Sequence, residues 1–276
     1  VVKEEDLQAL VSNCKFGTDN RALLNSSLHR ISCMRNLEGE VYGLTIRFGR
    51  YISGLASIFS DLIFSDSSIL LLGPPGTGKS SIIRDVTRML SSNDYHTVIV
   101  DTSNEIAGNG DIVHPSVGLA RRLMVPSLEQ QKSVMIEAVQ NHTPDVIVID
   151  EIGRKQEVDA AATIKRRGVR LMATAHGTFI DLVKNPQMRG LCGGFQQVTL
   201  SDKEAKGLDG EMRKTRTERC GEPIFDVIIE LSRTKFTYRI IKPVSVAVDR
   251  YIQNQPIEYE IRRNVNNEII VSYQQE

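Results

Sequence analysis

This 276-residue chain lacks an excess of charge, paired cysteines, an apolar run of membrane length and any internal repeat. Its 34 Lys and Arg balance 34 Asp and Glu, so no global field draws it toward nucleic acid or an anionic membrane. Only a local basic patch would support nucleic-acid binding. The four cysteines (Cys14, Cys33, Cys192, Cys220) are scattered, without a C-x-x-C pair or a histidine at metal spacing. That usage fits free thiols in a reducing compartment better than a disulfide frame or a zinc site. No apolar run reaches the ~18–20 residues that span a bilayer, so an integral membrane protein is not expected. The opening VVKEEDLQAL is acidic, shows no signal-peptide pattern and lacks Met, as expected of a processed or trimmed product.

What is present is ordinary in amount, with 41% hydrophobic and 25% charged residues. The length allows one large core or two unequal domains. Residues 1–28 read as short helices. HRISCMRNLEGEVYGLTIRFGR reads as a β-hairpin turning at NLEG, and a short apolar helix is expected at about Gly54–Phe64. SDSS then serves as a joint, so residues 1–66 are expected to form a small α+β N-terminal domain.

From Ser68 the pattern alternates. Strand-like apolar runs at Ile69–Leu72, Thr97–Asp101, Val146–Asp150, Val169–Thr174 and Phe195–Leu200 are separated by helical patterns at Ser80–Leu90, Ser127–Asn141, Gln156–Arg166 and Phe179–Lys184. Strands apolar at consecutive positions and spaced by helices predict a mostly parallel sheet covered on both faces, an α/β fold. IFDVIIEL and KFTYRII read as an antiparallel pair closing a larger second domain at residues 67–243, and residues 244–276 stay unassigned.

The most informative stretch is SILLLGPPGTGKSSI. Gly73, Pro74, Pro75, Gly76, Thr77, Gly78, Lys79 and Ser80 match G-x-x-x-x-G-K-[ST] in full, and Ser81 extends the phosphate-facing turn. Glycines let successive N–H groups turn inward as an anion nest at a helix N-terminus. Lys79 reaches the β- and γ-phosphates of ATP, and the Ser80 hydroxyl suits Mg²⁺. About 70 residues on, TPDVIVIDEIG ends a buried strand in two carboxylates. Asp150 is expected to hold Mg²⁺ through water, and Glu151 to orient and deprotonate the attacking water.

Two more strands end in polar clusters, VIVDTSNEIAG with Asp101 and Glu105, and LMATAHG with Thr174 and His176. Ligands of open parallel sheets gather at this edge, so these residues are candidates to contact the γ-phosphate, the water or a neighbouring subunit. Arg166 and Arg167 end a helix and read as structural. Arg121 and Arg122 fall in what reads as a long loop between nucleotide elements, and are the candidates for an arginine finger. The other histidines (29, 96, 114 and 142) carry no metal spacing.

DTSNEIAGNGDIVHPSVGLARRLMVP, MIEAVQNHTPDVIVIDEIG and ATAHG together resemble the plastid hypothetical-frame ATPases, relatives of sporulation stage III protein AA. The likeness covers about Leu24 to Ile241. It implies a RecA-like P-loop fold and kinship with the traffic ATPases of type II and IV secretion, a homo-oligomer of six subunits, and a plastid stromal location, or a bacterial cytoplasm as the alternative. By the same likeness Asp101 and Glu105 match the acidic box and His176 the histidine box. Asp150 stands where traffic ATPases usually have glycine. Many relatives continue into an Arg-x-x-x-His module for single-stranded nucleic acid, but no histidine follows His176. Three roles are therefore open: a motor for assembly or transport at a membrane, a nucleic-acid remodelling ATPase, and a slow nucleotide-gated binding module.

Overall fold

Where apolar residues follow one another without a break, the chain enters the middle of a sheet. The structure, a computed structural model, describes residues 3–17, 20–22, 27–199, 215–234, 236–266 and 268–276. Helix α1 (Glu4–Ser12) precedes strands β1 (Arg21–Ala22), β2 (Arg30–Arg35) and β3 (Val41–Arg47), which form a three-stranded antiparallel sheet. The β2–β3 hairpin turns at NLEG, where the Asn36 carboxamide oxygen accepts the N–H groups of Glu38 and Glu40. The helix expected at Gly54–Phe64 is shortened to α2 (Ser60–Ile63) behind a single 3₁₀ turn.

The chain then runs through β4 (Ile69–Leu72), α3 (Lys79–Ser91), β5 (Thr97–Asp101), β6 (Arg121–Met124), α4 (Gln131–His142), β7 (Val146–Ile149), α5 (Lys155–Arg166), β8 (Arg170–Ala175), α6 (Phe179–Lys184), β9 (Phe195–Thr199), β10 (Thr215–Arg219), β11 (Val227–Leu231), β12 (Thr237–Ile241), α7 (Val244–Ile252), β13 (Glu258–Val265) and β14 (Glu268–Gln275). The main sheet has nine strands in the order β14-β13-β12-β11-β4-β8-β7-β5-β6. Strands β11 to β6 in that order are parallel to one another, and β12, β13 and β14 run antiparallel. Among the described residues no helix is long and apolar enough to cross a membrane.

Three sequence expectations change. Phe195–Thr199 is a strand, but it pairs only with β10 in a separate ribbon; its polar Gln196 and Gln197 would be buried without partners in the sheet centre. Residue 200, expected to end it, lies outside the described residues. Arg121 and Arg122 sit not in a loop but in β6, the edge strand beside β5. With only one neighbour, an edge strand tolerates cations that a central strand excludes. The unassigned residues after Pro243 contribute α7, β13 and β14, and so extend the sheet rather than leave it.

The core lies on both faces of the sheet, and side chains alternate between them as strand geometry requires. Leu70, Leu72, Val98, Val100, Ile147 and Ile149 pack on one side, and Ile69, Leu71, Ile99, Val146 and Val148 on the other. Full burial of each such aliphatic side chain stabilises by about 1.5–3 kcal/mol. Ile147 is completely buried in the central strand β7. Ile147→Ala should therefore cost about 2–5 kcal/mol in urea unfolding. Ile269→Ala, on the exposed edge strand β14, should stay within about 0.5 kcal/mol. Equal midpoints for the two variants would overturn this account of the core.

Candidate active site

Parallel strands bring their C-terminal ends to one edge, and the order β4-β8-β7-β5 decides which side chains meet there. The glycine loop follows β4, His176 follows β8, Asp150 and Glu151 follow β7, and Asp101 ends β5. Gly76 and Gly78 take φ of 79° and 95°, conformations open to glycine at little cost. Gly73 is required for a different reason: a Cβ there would lie 2.8 Å from the Leu231 carbonyl oxygen of β11. Thr77 Oγ1 donates to the Pro74 carbonyl at 2.9 Å, which fixes the turn. Gly78 caps α3 without a side-chain hydrogen bond; the Ser81 N–H turns back to the Gly78 carbonyl, and no cap side chain competes for the N–H groups of Lys79 and Ser80.

A cleft of about 360 Å³ opens over this loop, lined by Pro75, Gly76, Gly78, Lys79, Ser80 and Ser81 together with Arg47, Ser103, Glu105, Asp150, Glu151, Thr174 and His176. Gly73, Pro74 and Thr77 shape the loop from behind and do not line it. Lys79 is buried, and its Nζ donates to the carbonyls of Gly73 (2.6 Å) and Pro74 (3.1 Å). Burial pulls its pKa down, against the upward pull of Glu151, Glu105 and Asp150. Because β8 lies between β4 and β7, the His176 ring bridges the two motifs: Nδ1 is 3.4 Å from Lys79 Nζ and Nε2 is 3.2 Å from Glu151 Oε1. The tautomer that satisfies both contacts accepts at Nδ1 and donates from Nε2–H. Gln131 Nε2 donates to the Glu151 carbonyl at 2.6 Å. Thr174 Oγ1 donates to the Asp150 carbonyl.

The two aspartates differ in use. Asp101 accepts the N–H groups of Glu105, Ile106 and Ala107, so it shapes the turn that presents Glu105. Glu105 itself accepts from the Ser80 hydroxyl at 2.9 Å. Asp150 is buried, and its pKa is pushed well up, first by burial and then by Asp101, Glu105 and Glu151. Among the described residues no group of three or more His, Cys, Asp or Glu could hold a metal alone. The oxygen donors Ser80 and Asp150 nevertheless fit Mg²⁺, which binds through one or two carboxylates and completes its shell with waters and substrate phosphates.

Arg121 is exposed, and Arg122 donates to the carbonyls of Gly108 and Gly110; neither lines the cleft. The arginine that lines it comes instead from the N-terminal sheet: Arg47 lies 3.4 Å from Glu105 Oε1, and Arg30, outside the lining, reaches the same oxygen at 3.7 Å. Arg84 donates to the carbonyls of Glu105 and Ile106 and braces the same turn. No motif marks these three arginines. Arg47 and Glu105 are 58 residues apart in the chain, and only the fold brings them together.

A glycine loop after a central parallel strand, with acids at the ends of neighbouring strands, defines a RecA-like P-loop ATPase fold. The pilus retraction motor PilT, solved with bound ADP, has the same fold, with a TM-score of 0.53 and 15% identity over 92% of this chain and 71% of PilT. The sequence profile described as sporulation stage III, protein AA matches residues 31–219, and the chain belongs to that family. It is 47% identical over 268 residues to SEEDLING PLASTID DEVELOPMENT 1 of Arabidopsis thaliana, covering 95% of this chain and 38% of that protein. It is 46% identical over 259 residues to protein ycf45 of Porphyra purpurea, covering 93% of this chain and 45% of that protein. The chain thus spans less than half the length of either relative.

The Asp150 carboxyl yields a pH test. Its folded pKa lies above the unfolded value near 3.8, so the native state holds the extra proton between those two values. The stability contribution is complete below about pH 4 and is lost as pH rises through the folded pKa. Asp150→Asn should therefore raise the thermal midpoint at pH 7 and lose that gain below about pH 4. A destabilised variant at pH 7 would mean that Asp150 is compensated in the fold.

Proposed function

We propose that the chain is a Mg²⁺-dependent ATPase in which hydrolysis drives a conformational change in a homo-oligomer, powering assembly or transport at a membrane. The observation that carries this reading is the meeting of Lys79, Ser80, Glu105, Asp150, Glu151 and His176 in one cleft over an anion-binding loop. In this reading the loop N–H groups and Lys79 bind the ATP phosphates, Lys79 exchanging its carbonyl contacts for phosphate oxygens. Ser80 and Asp150 would hold Mg²⁺, which would supply charge neutralisation at the phosphates. Glu151, oriented by His176, takes a proton from water as the water oxygen bonds to the γ-phosphorus. The bond to the β–γ bridging oxygen breaks, and ADP and phosphate leave.

The likeness in fold to a retraction motor that binds ADP supports a mechanical role. The name of the Arabidopsis relative supports a plastid, and we take the stroma as the compartment; a tagged chain found outside the stroma in the source cell would refute that placement. Six subunits in a ring are the expected assembly. Light scattering that finds a monomer with full turnover in ATP would remove the oligomer.

Two variants separate binding from chemistry. Lys79→Ala should abolish ATP binding in calorimetry. Glu151→Gln should bind ATP normally while turnover falls about 10²–10⁴-fold. ATP affinity unchanged in the first, or turnover unchanged in the second, would refute the corresponding role.

The arginines provide a further check. Arg47 lines the cleft and pairs with Glu105, whereas Arg122 is spent on backbone carbonyls. Arg47→Ala should lower turnover by roughly 10² or more, as for loss of a charge-stabilising donor, with ATP affinity nearly kept. If Arg121→Ala does this and Arg47→Ala does not, the finger comes from a neighbouring subunit's β6.

A further inference from the structure

A second cleft, of about 580 Å³, opens on the other side of the phosphate loop. It shares Pro75, Gly76, Gly78 and Ser81 with the acidic cleft but contains none of the acids. Its apolar walls are Ile52 from the segment after the N-terminal sheet, Ile82 from α3, and Phe236 and Tyr238 from the β11–β12 hairpin, whose turn also brings hydroxyls and a single cation, Arg233, to the rim. A nucleotide whose phosphates lie on the loop must extend its sugar and base away from it. Toward Glu105, Asp150 and Glu151 the space is taken by charged groups. A third cleft, beside Ser80 and Ser81, sets Leu28, Phe48 and Ile52 among four arginines, Arg30, Arg47, Arg50 and Arg84, a concentration of cations that favours anions over a neutral ring.

Phe236 supplies an independent observation. Its φ is 59°, left-handed backbone that a bulky aromatic residue rarely adopts. Its carbonyl accepts the N–H of Asn264 from β13 at 3.1 Å, so neighbouring strands hold it there. The residue is about half exposed (52%), so burial does not repay the strain. Backbone strain kept without a packing reward concentrates at ligand sites. Tyr238, by contrast, is buried edge-on against Phe59 and forms a fixed wall.

We infer that this cleft takes the base of the bound nucleotide, with Phe236 as the stacking face and Ile52 and Ile82 as aliphatic contacts. The inference rests on the nucleotide-binding reading above and adds the part of the ligand that the phosphate loop does not recognise. It also draws Ile52 and the β11–β12 hairpin into one site, so that base binding links the N-terminal segment to the antiparallel end of the sheet.

Calorimetric titration with two probes, ATP and inorganic tripolyphosphate, tests it, because the second carries the phosphates without a base. Phe236→Gly removes the ring and also relieves the positive φ, so the variant does not lose its fold through strain. It should weaken ATP binding about 5- to 150-fold, the range that stacking one base on an aromatic side chain carries. Tripolyphosphate binding should stay unchanged, and Phe236→Tyr should bring ATP affinity back. Unchanged ATP affinity in Phe236→Gly, or equal weakening of both probes, would overturn the assignment while leaving the phosphate loop intact. A wild-type chain that binds neither probe would overturn the phosphate-loop reading, and the base site with it.

Discussion

Burying several carboxylates beside one another is unfavourable unless cations or hydrogen-bond donors surround them, and this demand organises the edge of the sheet. Asp101, Glu105, Asp150 and Glu151 converge where β5 and β7 end, and burial raises the pKa of both aspartates. The compensations come from every direction. Three backbone N–H groups serve Asp101, Lys79 lies below, and Arg30 and Arg47 close the top through Glu105. Like charges at this density favour either a proton or a cation. The loop glycines, the helix start and the hydroxyl of Ser80 make the same place receptive to a phosphate group and its metal.

Much of this was legible along the chain because the central strands carry no polar interruption. ILLL, TVIVD and VIVI are buried on both faces, and unbroken apolar runs of that kind belong to a covered parallel sheet. The same rule hides β6: RRLM pairs on one side only and stays half exposed, so its cations resemble a loop. It also misplaced FQQVT, whose Phe195 and Val198 suggest a sheet that its two glutamines cannot enter. The strands after Pro243 were obscured in another way. Glu260 and Arg262 are buried as a pair, the arginine also reaching Asp61 and the Ile58 carbonyl, so a core strand carries charges.

Site residues divide along the same line. Lys79, Ser80, Asp150 and Glu151 sit in local motifs whose spacing states their chemistry. His176 was readable from its place after a strand, but its position between Lys79 and Glu151 follows from β8 lying between β4 and β7. Arg30, Arg47 and Arg84 had no local signal, since their partners lie on other elements. The N-terminal sheet reaches the same turn by backbone as well, through Asn109 N–H to Ser27 and the Asn109 amide to His29. Gly49 N–H closes on His29 Nδ1.

Glu105 is thus asked to serve three claimants, the Ser80 hydroxyl and two guanidinium groups from the N-terminal sheet. A carboxylate has a limited number of lone pairs and a single charge to divide. Whatever draws Glu105 toward the loop loosens its hold on the sheet above, and whatever anion arrives near Arg30 and Arg47 competes with it from the other side. The N-terminal sheet and the phosphate loop therefore meet at one carboxylate whose charge both of them share.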